Sequence, residues 1–353
     1  YAQQDAQEAW GSIVQGVKSA MSGSGQSSSS STGGKFVEEW MTGRVEKKLS
    51  SPEAPTEPTR TSTEPFLELK CNISSSTNYM MQGLLEGMTQ DVEKRSESLG
   101  RDAVYKEETR IARMPSYLTV NMVRFYWRRE LSKKTKIMRR VKFPFDLDVF
   151  DLLSDDLKDK ARGVNEKLKE VEKERRERAK ARRKMKNKAE AGSAAASSST
   201  SAAAPSASVQ QNPTDDPPEP MLVDSSASAA AALGDLPDEA TKRQEELAIL
   251  SSLVHPDLEA DKGANVSGLY ELVGLVTHKG ASADGGHYVG WTAAPRTLPD
   301  GSPDLDADPD KQEWYKFDDE KVSLVSRDKI MTLEGGGEDH CAYILLYKSK
   351  SLA

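Results

Sequence analysis

The feature that most constrains this chain is a break in its middle. From Lys158 to Glu190 the sequence carries 15 basic and 7 acidic residues, a local charge of +8. Residues 191–235 follow as a tract of Ala, Ser, Pro and Asp with too little apolar surface to offset the entropy of ordering it. Any core must therefore be assembled from both sides of the break. Residues 1–157 and 263–348 are expected to form one α+β domain, residues 158–262 a charged, low-complexity, disordered insertion, and residues 349–353 a tail. If helical, the basic run is expected to be a solvated helix laced with i,i+4 ion pairs, with no core face. A modest amphipathic helix over 238–254, with Leu247, Leu250 and Val254 on one face, is either a docking element or a stub.

The net charge of the whole chain is −7, so everything outside the basic run carries about −15. Such a molecule is not built around polyanion binding. The run RRERAKARRKMKNK lacks interleaved aromatics for base stacking, which leaves nucleic-acid binding or nuclear import as an accessory role at most. No apolar stretch approaches the roughly 18 residues a membrane span needs, so no membrane partner is expected. Two cysteines, Cys71 and Cys341, with no C-x-x-C, exclude a disulfide framework and a cysteine-rich zinc site, and no metal or cofactor is expected.

Before the break, Ser/Gly-rich residues 22–34 and Pro/Thr-rich residues 51–65 are expected to be flexible connections, with a strand pair within 35–49 between them. Phe66 to Ile73 alternates as a strand with Leu67, Leu69, Cys71 and Ile73 facing a core. A helix is expected within Tyr79–Val92 and a central strand over Tyr117–Phe125, two residues past Pro115. Trp127–Arg140, with seven Lys or Arg, fits the basic, mobile loop of a hairpin that returns at Val141–Val149, and a short helix follows to Leu157. After the break, Leu269–Thr277, His287–Thr292, Trp314–Phe317 and Cys341–Tyr347 read as strands of a mostly antiparallel sheet.

Chemistry is sought in that last block. Of four histidines, two flank one loop: His278 ends a strand, KGASADGG follows, and His287 opens the next strand. Gly285 and Gly286 free the backbone and let another chain approach closely. A lone histidine at a strand end is ordinarily a polar cap. His287 stands apart because WYKFDD, an alternating strand, ends 31 residues later in paired carboxylates. A carboxylate at the mouth of a neighbouring strand accepts the proton of one imidazole nitrogen and leaves the other as a base. Asp318 takes that role, and Asp319 that of a turn former. Cys71 is a core thiol by its phase, Cys341 opens a buried strand, and His255 and His340 read as loop residues.

Residues 268–291 (GLYELVGLVTHKGASADGGHYVGW), 314–323 (WYKFDDEKVS) and 335–347 (GGGEDHCAYILLY) resemble the histidine box of the ubiquitin-specific proteases, the papain-like deubiquitinases. QQDAQEAW at 3–10 resembles that family's QDA motif, and MPSYLTVNMVRF at 114–125 the strand preceding a blocking loop. The resemblance implies a papain-like fold, with a partial thumb, fingers and first palm strands in 1–157 and the rest of the palm in 263–348. It implies thiol hydrolysis of the bond after ubiquitin's C-terminal Gly-Gly, with His287 as base and then acid and Asp318 orienting it. Gly285, Gly286 and Tyr288 would line the channel for the ubiquitin tail, Gln4 and Asp5 would hold that tail, and loops at 279–284 and 128–136 would block the channel until rearranged. The Gly-Gly-Gly and Asp-His before the last strand, and the lack of finger zinc cysteines, are most similar to the proteasome-associated branch. Implied partners are ubiquitin, polyubiquitinated proteins and the proteasome regulatory particle, in cytoplasm and nucleus. The family's Cys box lies upstream of its QDA motif, so this chain by itself is expected not to hydrolyse. A noncatalytic ubiquitin-binding scaffold is the alternative.

Overall fold

The computed structural model describes residues 5–22, 35–128, 132–198, 238–282, 285–337 and 339–353. Two sheets carry the architecture. An antiparallel four-stranded sheet in the order β2-β1-β5-β4 is made of β1 (Gly43–Ser50), β2 (Arg60–Phe66), β4 (Thr89–Arg95) and β5 (Asp102–Arg113). The larger sheet begins with β3 (Glu68–Asn72), parallel to β6 (Tyr117–Val123). It continues antiparallel through β14 (Cys341–Ser349), β10 (Leu269–Ser282), β11 (Gly285–Ala293), β12 (Glu313–Asp318) and β13 (Lys321–Ser326). A hairpin of β7 (Phe125–Arg128) and β8 (Lys133–Lys136) and the short β9 (Asp146–Asp148) attach to β10.

The alternating segments after the break form strands where their pattern places them, because their inward residues Leu272, Leu275, Val289, Trp291, Trp314, Leu345 and Tyr347 all enter one core. That core also takes Leu69 and Cys71 of β3, and Met80 and Leu84 of the helix α2 (Met80–Gly87), while Leu67 is exposed. β6 is flanked on both sides, by β14 and β3.

Two expectations fail here. Residues 51–65 are not a free connection: from Arg60 onward they form β2, paired with β1 from Gly43↔Phe66 to Leu49↔Arg60. Its side chains are almost all exposed, so no alternation of burial marks it; backbone pairing and the Lys47–Glu64 ion pair at 2.7 Å hold it instead. Glu57 also ties the segment down, accepting from Ser96 Oγ at 2.6 Å and Tyr105 Oη at 2.5 Å. The strand pair expected within 35–49 is a π-helical turn at Val37–Met41 followed by β1 alone.

The larger correction concerns residues 158–262. α1 (Ala6–Ser22) precedes the sheets, and α3 runs from Asp155 to Ser198, followed by α4 (Glu239–Ser252) and α5 (Pro256–Ala260). Residues 199–237, which hold all of the low-complexity tract but the part at 191–198 that continues α3, lie outside the described residues, as do 23–34. Ala161, Val164, Leu168 and Val171 recur at helical spacing and are buried, so α3 does have a core face. Leu168 and Val171 pack with Leu250 of α4 and Leu269 of β10. Beyond them the buried stripe becomes ionic: Arg175 donates to Glu246 at 2.7 Å, Arg178 to Glu239 at 3.0 Å and to Glu246 at 2.6 Å, and Arg182 to Glu239 at 2.7 Å.

Arg124, just after β6, is buried and has only main-chain acceptors in the described bonds. Its Nε donates to the carbonyl of Ala342 at 2.8 Å, Nη1 to that of Arg139 at 2.8 Å, and Nη2 to that of Glu334 at 2.9 Å. One side chain thus pins β14 and the segments leading into β9 and out of α6 (Arg327–Met331). Arg124→Met withdraws a buried donor from these carbonyls, of which that of Glu334 still accepts the Val141 N–H at 3.0 Å, and is expected to lower stability by about 3–5 kcal/mol, read as a drop in the urea midpoint at unchanged m-value.

Candidate functional site

β11 and β12 are neighbours, registered Gly290↔Phe317 to Ala293↔Trp314, so His287 and Asp318 lie where the two strands leave their shared ladder. Their side chains meet: His287 Nε2 and Asp318 Oδ1 are 2.5 Å apart. The carboxylate accepts, so this bond selects the tautomer with the proton on Nε2 and leaves the Nδ1 lone pair free. The imidazole is partly open to solvent, at 40 % side-chain exposure, as a base that must meet a substrate requires.

The other carboxylate oxygen, Oδ2, accepts from Lys316 Nζ at 2.6 Å. Lys316, and after it His287, hold the Asp318 carboxyl down at about 2. A depressed carboxyl stabilises the fold above the ordinary carboxylate range and loses that contribution only as pH falls toward 2, so Asp318 is anionic wherever His287 works. Asp319 makes the turn into β13 at φ +51, a left-handed conformation that Asp tolerates. Ligand atoms of His287, Asp318 and Asp319 lie within 4.8 Å of one another. The Lys316 ammonium on Asp318 already supplies the cation there, and the arrangement suits proton transfer rather than a metal.

Glycine is required at 286. Its φ is +154°, and a Cβ there would stand 2.3 Å from His278 Nε2. His278, expected to end its strand, lies within β10 and is 1 % exposed, and burial followed by the Lys136 charge pushes its imidazole down to about 4. Its ring lies against Tyr288 at 4.8 Å and edge-on to Phe125 at 5.2 Å. Tyr288, whose phenol is pushed up to about 12 by burial and then Asp5, also neighbours Tyr343 at 6.1 Å. Gly285 has open space around it.

Asp5 is engaged twice. It accepts the backbone N–H of Gln7 at 2.8 Å at the start of α1, and the Tyr343 hydroxyl at 2.7 and 2.9 Å. It therefore fastens α1 to β14 beside Tyr288; Tyr343 was invisible in the sequence as a site residue. Gln4 lies outside the described residues.

Neither cysteine is placed for attack. Cys71 is fully buried, and burial pushes its thiol up to about 12. Cys341 is buried too, with Sγ 3.5 Å from the His278 carbonyl. His340 neighbours His287 at 6.3 Å between ring centroids and bonds Thr277 Oγ1 at 3.3 Å, with its imidazole pushed down by burial and then Lys316.

Comparison with known proteins gives the family. The family model described as ubiquitin carboxyl-terminal hydrolase matches residues 1–347. The chain is 37 % identical over 355 residues to ubiquitin carboxyl-terminal hydrolase 6 of Schizosaccharomyces pombe, covering 100 % of this chain and 62 % of that protein. It is 31 % identical over 353 residues to ubiquitin carboxyl-terminal hydrolase 6 of Arabidopsis thaliana, covering 99 % of this chain and 59 % of that one. Among solved structures it is similar to the SAGA Ubp8/Sgf11/Sus1/Sgf73 DUB module bound to ubiquitin aldehyde, with TM-score 0.50 and 15 % identity over 100 % of this chain and 50 % of that one. That likeness concerns the fold, an α+β papain-like arrangement.

Proposed function

The chain belongs to the ubiquitin carboxyl-terminal hydrolase family, and from that premise we propose that His287 and Asp318 are the base and its orienting carboxylate in a thiol hydrolase that cuts after the C-terminal glycine of ubiquitin. The short His287–Asp318 bond carries the reading, because it fixes the imidazole with one nitrogen free for a sulfur. In that reaction Nδ1 takes the proton of a cysteine thiol and the thiolate attacks the tail's terminal carbonyl. Nδ1–H then protonates the departing lysine amine, and water releases ubiquitin from the acyl-enzyme. Cys71 and Cys341 are both buried, so this reading takes the sulfur from neither and expects no hydrolysis from the chain by itself. In this reading Gly285, Gly286 and Tyr288 line the channel for the glycine tail, and Gln4 and Asp5 hold that tail's backbone. The four-stranded sheet β2-β1-β5-β4 is the finger surface for ubiquitin's body. Polyubiquitinated proteins are the substrates, the proteasome regulatory particle a partner, and cytoplasm and nucleus the setting.

The two buried cysteines favour a second reading, a ubiquitin-binding scaffold without catalysis. Calorimetric titration of the chain with ubiquitin, and with ubiquitin lacking its final Gly-Gly, tests the part the two readings share. Weaker binding of the shortened form is expected, and equal affinity for both removes the tail channel from the account.

A further inference from the structure

We propose that Lys136 is a positioning residue for His287, fastening the last regular rung of the ladder that presents the imidazole; this rests on the reading of His287 as the base. Lys136 closes β8 and is 4 % exposed. Its Nζ donates to the carbonyl of His278 at 2.9 Å and to that of Gly280 at 2.9 Å. Those two carbonyls bracket Lys279, and the Cα partner of Lys279 across the β10–β11 ladder is His287.

Beyond that rung the register shifts before Ser282 pairs with Gly285. Ser282 pairs in turn with Thr135, the residue before Lys136. β8 therefore grips the tip of β10 on both sides of the irregularity. The tip needs an external fastening because its backbone is soft: Gly280 has φ +117 and Gly286 φ +154. His278 offers no polar anchor, since neither ring nitrogen has a hydrogen-bond partner among the described residues. Two charge-assisted bonds from one buried ammonium supply what ladder bonds cannot. His287 sits in that ladder with its ring against Asp318, so a shift of the rung moves Nε2 away from Oδ1.

The test compares the unaltered chain with Lys136→Met and Lys136→Arg. The measurements are amide hydrogen exchange over residues 285–289 and the downfield proton resonance of the short His287–Asp318 bond. In the methionine protein, exchange is expected to quicken by about tenfold or more and the resonance to vanish, while exchange in β1 and β5 stays unchanged. Arginine, which can still reach carbonyls, is expected to recover most of the protection. A methionine protein with unaltered exchange and an intact resonance overturns the proposal. Should methionine prevent folding, Lys136→Gln is read the same way: intermediate protection is expected, and full protection overturns it. A resonance missing from the unaltered chain contradicts the His287–Asp318 reading itself, whereas the exchange measurement judges Lys136 independently.

Discussion

In a protein that joins this chain to the remaining length of its relatives, His287→Ala will lower turnover of a ubiquitin C-terminal reporter by about three orders of magnitude or more. The loss will fall on kcat with little change in KM, because the imidazole acts on the proton in flight and contributes little to holding ubiquitin. Asp318→Ala will cost less, about two orders. Without the carboxylate the ring still carries a basic nitrogen, but it samples the other tautomer and other orientations, and the Nε2–H that was bonded at 2.5 Å has no acceptor. Lys316→Met is a useful contrast. It removes the ammonium held 2.6 Å from Oδ2 and leaves the His287 bond in place, so a milder effect follows.

Deleting residues 158–261 will abolish cooperative unfolding. The deletion removes Val164, Leu168, Val171, Leu250 and Leu258, all buried. At about 1.5–3 kcal/mol for each such side chain, the loss is on the order of 10 kcal/mol, comparable with the whole stability of an ordinary domain. It also strips partners from what remains. Lys350 loses Glu172 at 2.8 Å, and Arg113 loses the carboxylate of Asp261, which it grips at 2.7 and 2.8 Å. Thermal scans and near-UV circular dichroism read the outcome: a broad, probe-dependent transition is expected, and a sharp one at the parent's midpoint would show that α3 and α4 are dispensable. A shorter deletion of 199–237 spares every buried side chain named here.

That contrast shows where the sequence was legible. The strands of the last block were legible from alternation, since Val289 and Trp291 on β11 and Trp314 on β12 enter the core, and the same alternation put His287 and Asp318 at strand mouths. α3 was misread because a count of charges hides their placement. Arg175, Arg178 and Arg182 lie within about two turns on one face and meet Glu239 and Glu246, which come some sixty to seventy residues later. Ionic burial of that kind has no one-dimensional signature, whereas Ala161, Val164, Leu168 and Val171 did carry a helical period that the surrounding charge obscured. Lys136 and Arg124 were hidden for a related reason. Each belongs to or borders a basic stretch that composition marks as solvated, yet each ends buried against main-chain carbonyls. β2 escaped because an exposed strand at a sheet edge shows no burial pattern to read.

The most direct measurement of the central claim is the protonation pattern of one ring. Long-range nitrogen–proton correlation spectra of the chain should show neutral His287 carrying its proton on Nε2, with Nδ1 bare, and Asp318→Ala should scatter that preference between the two nitrogens. A proton residing on Nδ1, or a spectrum indifferent to the loss of Asp318, would contradict the account.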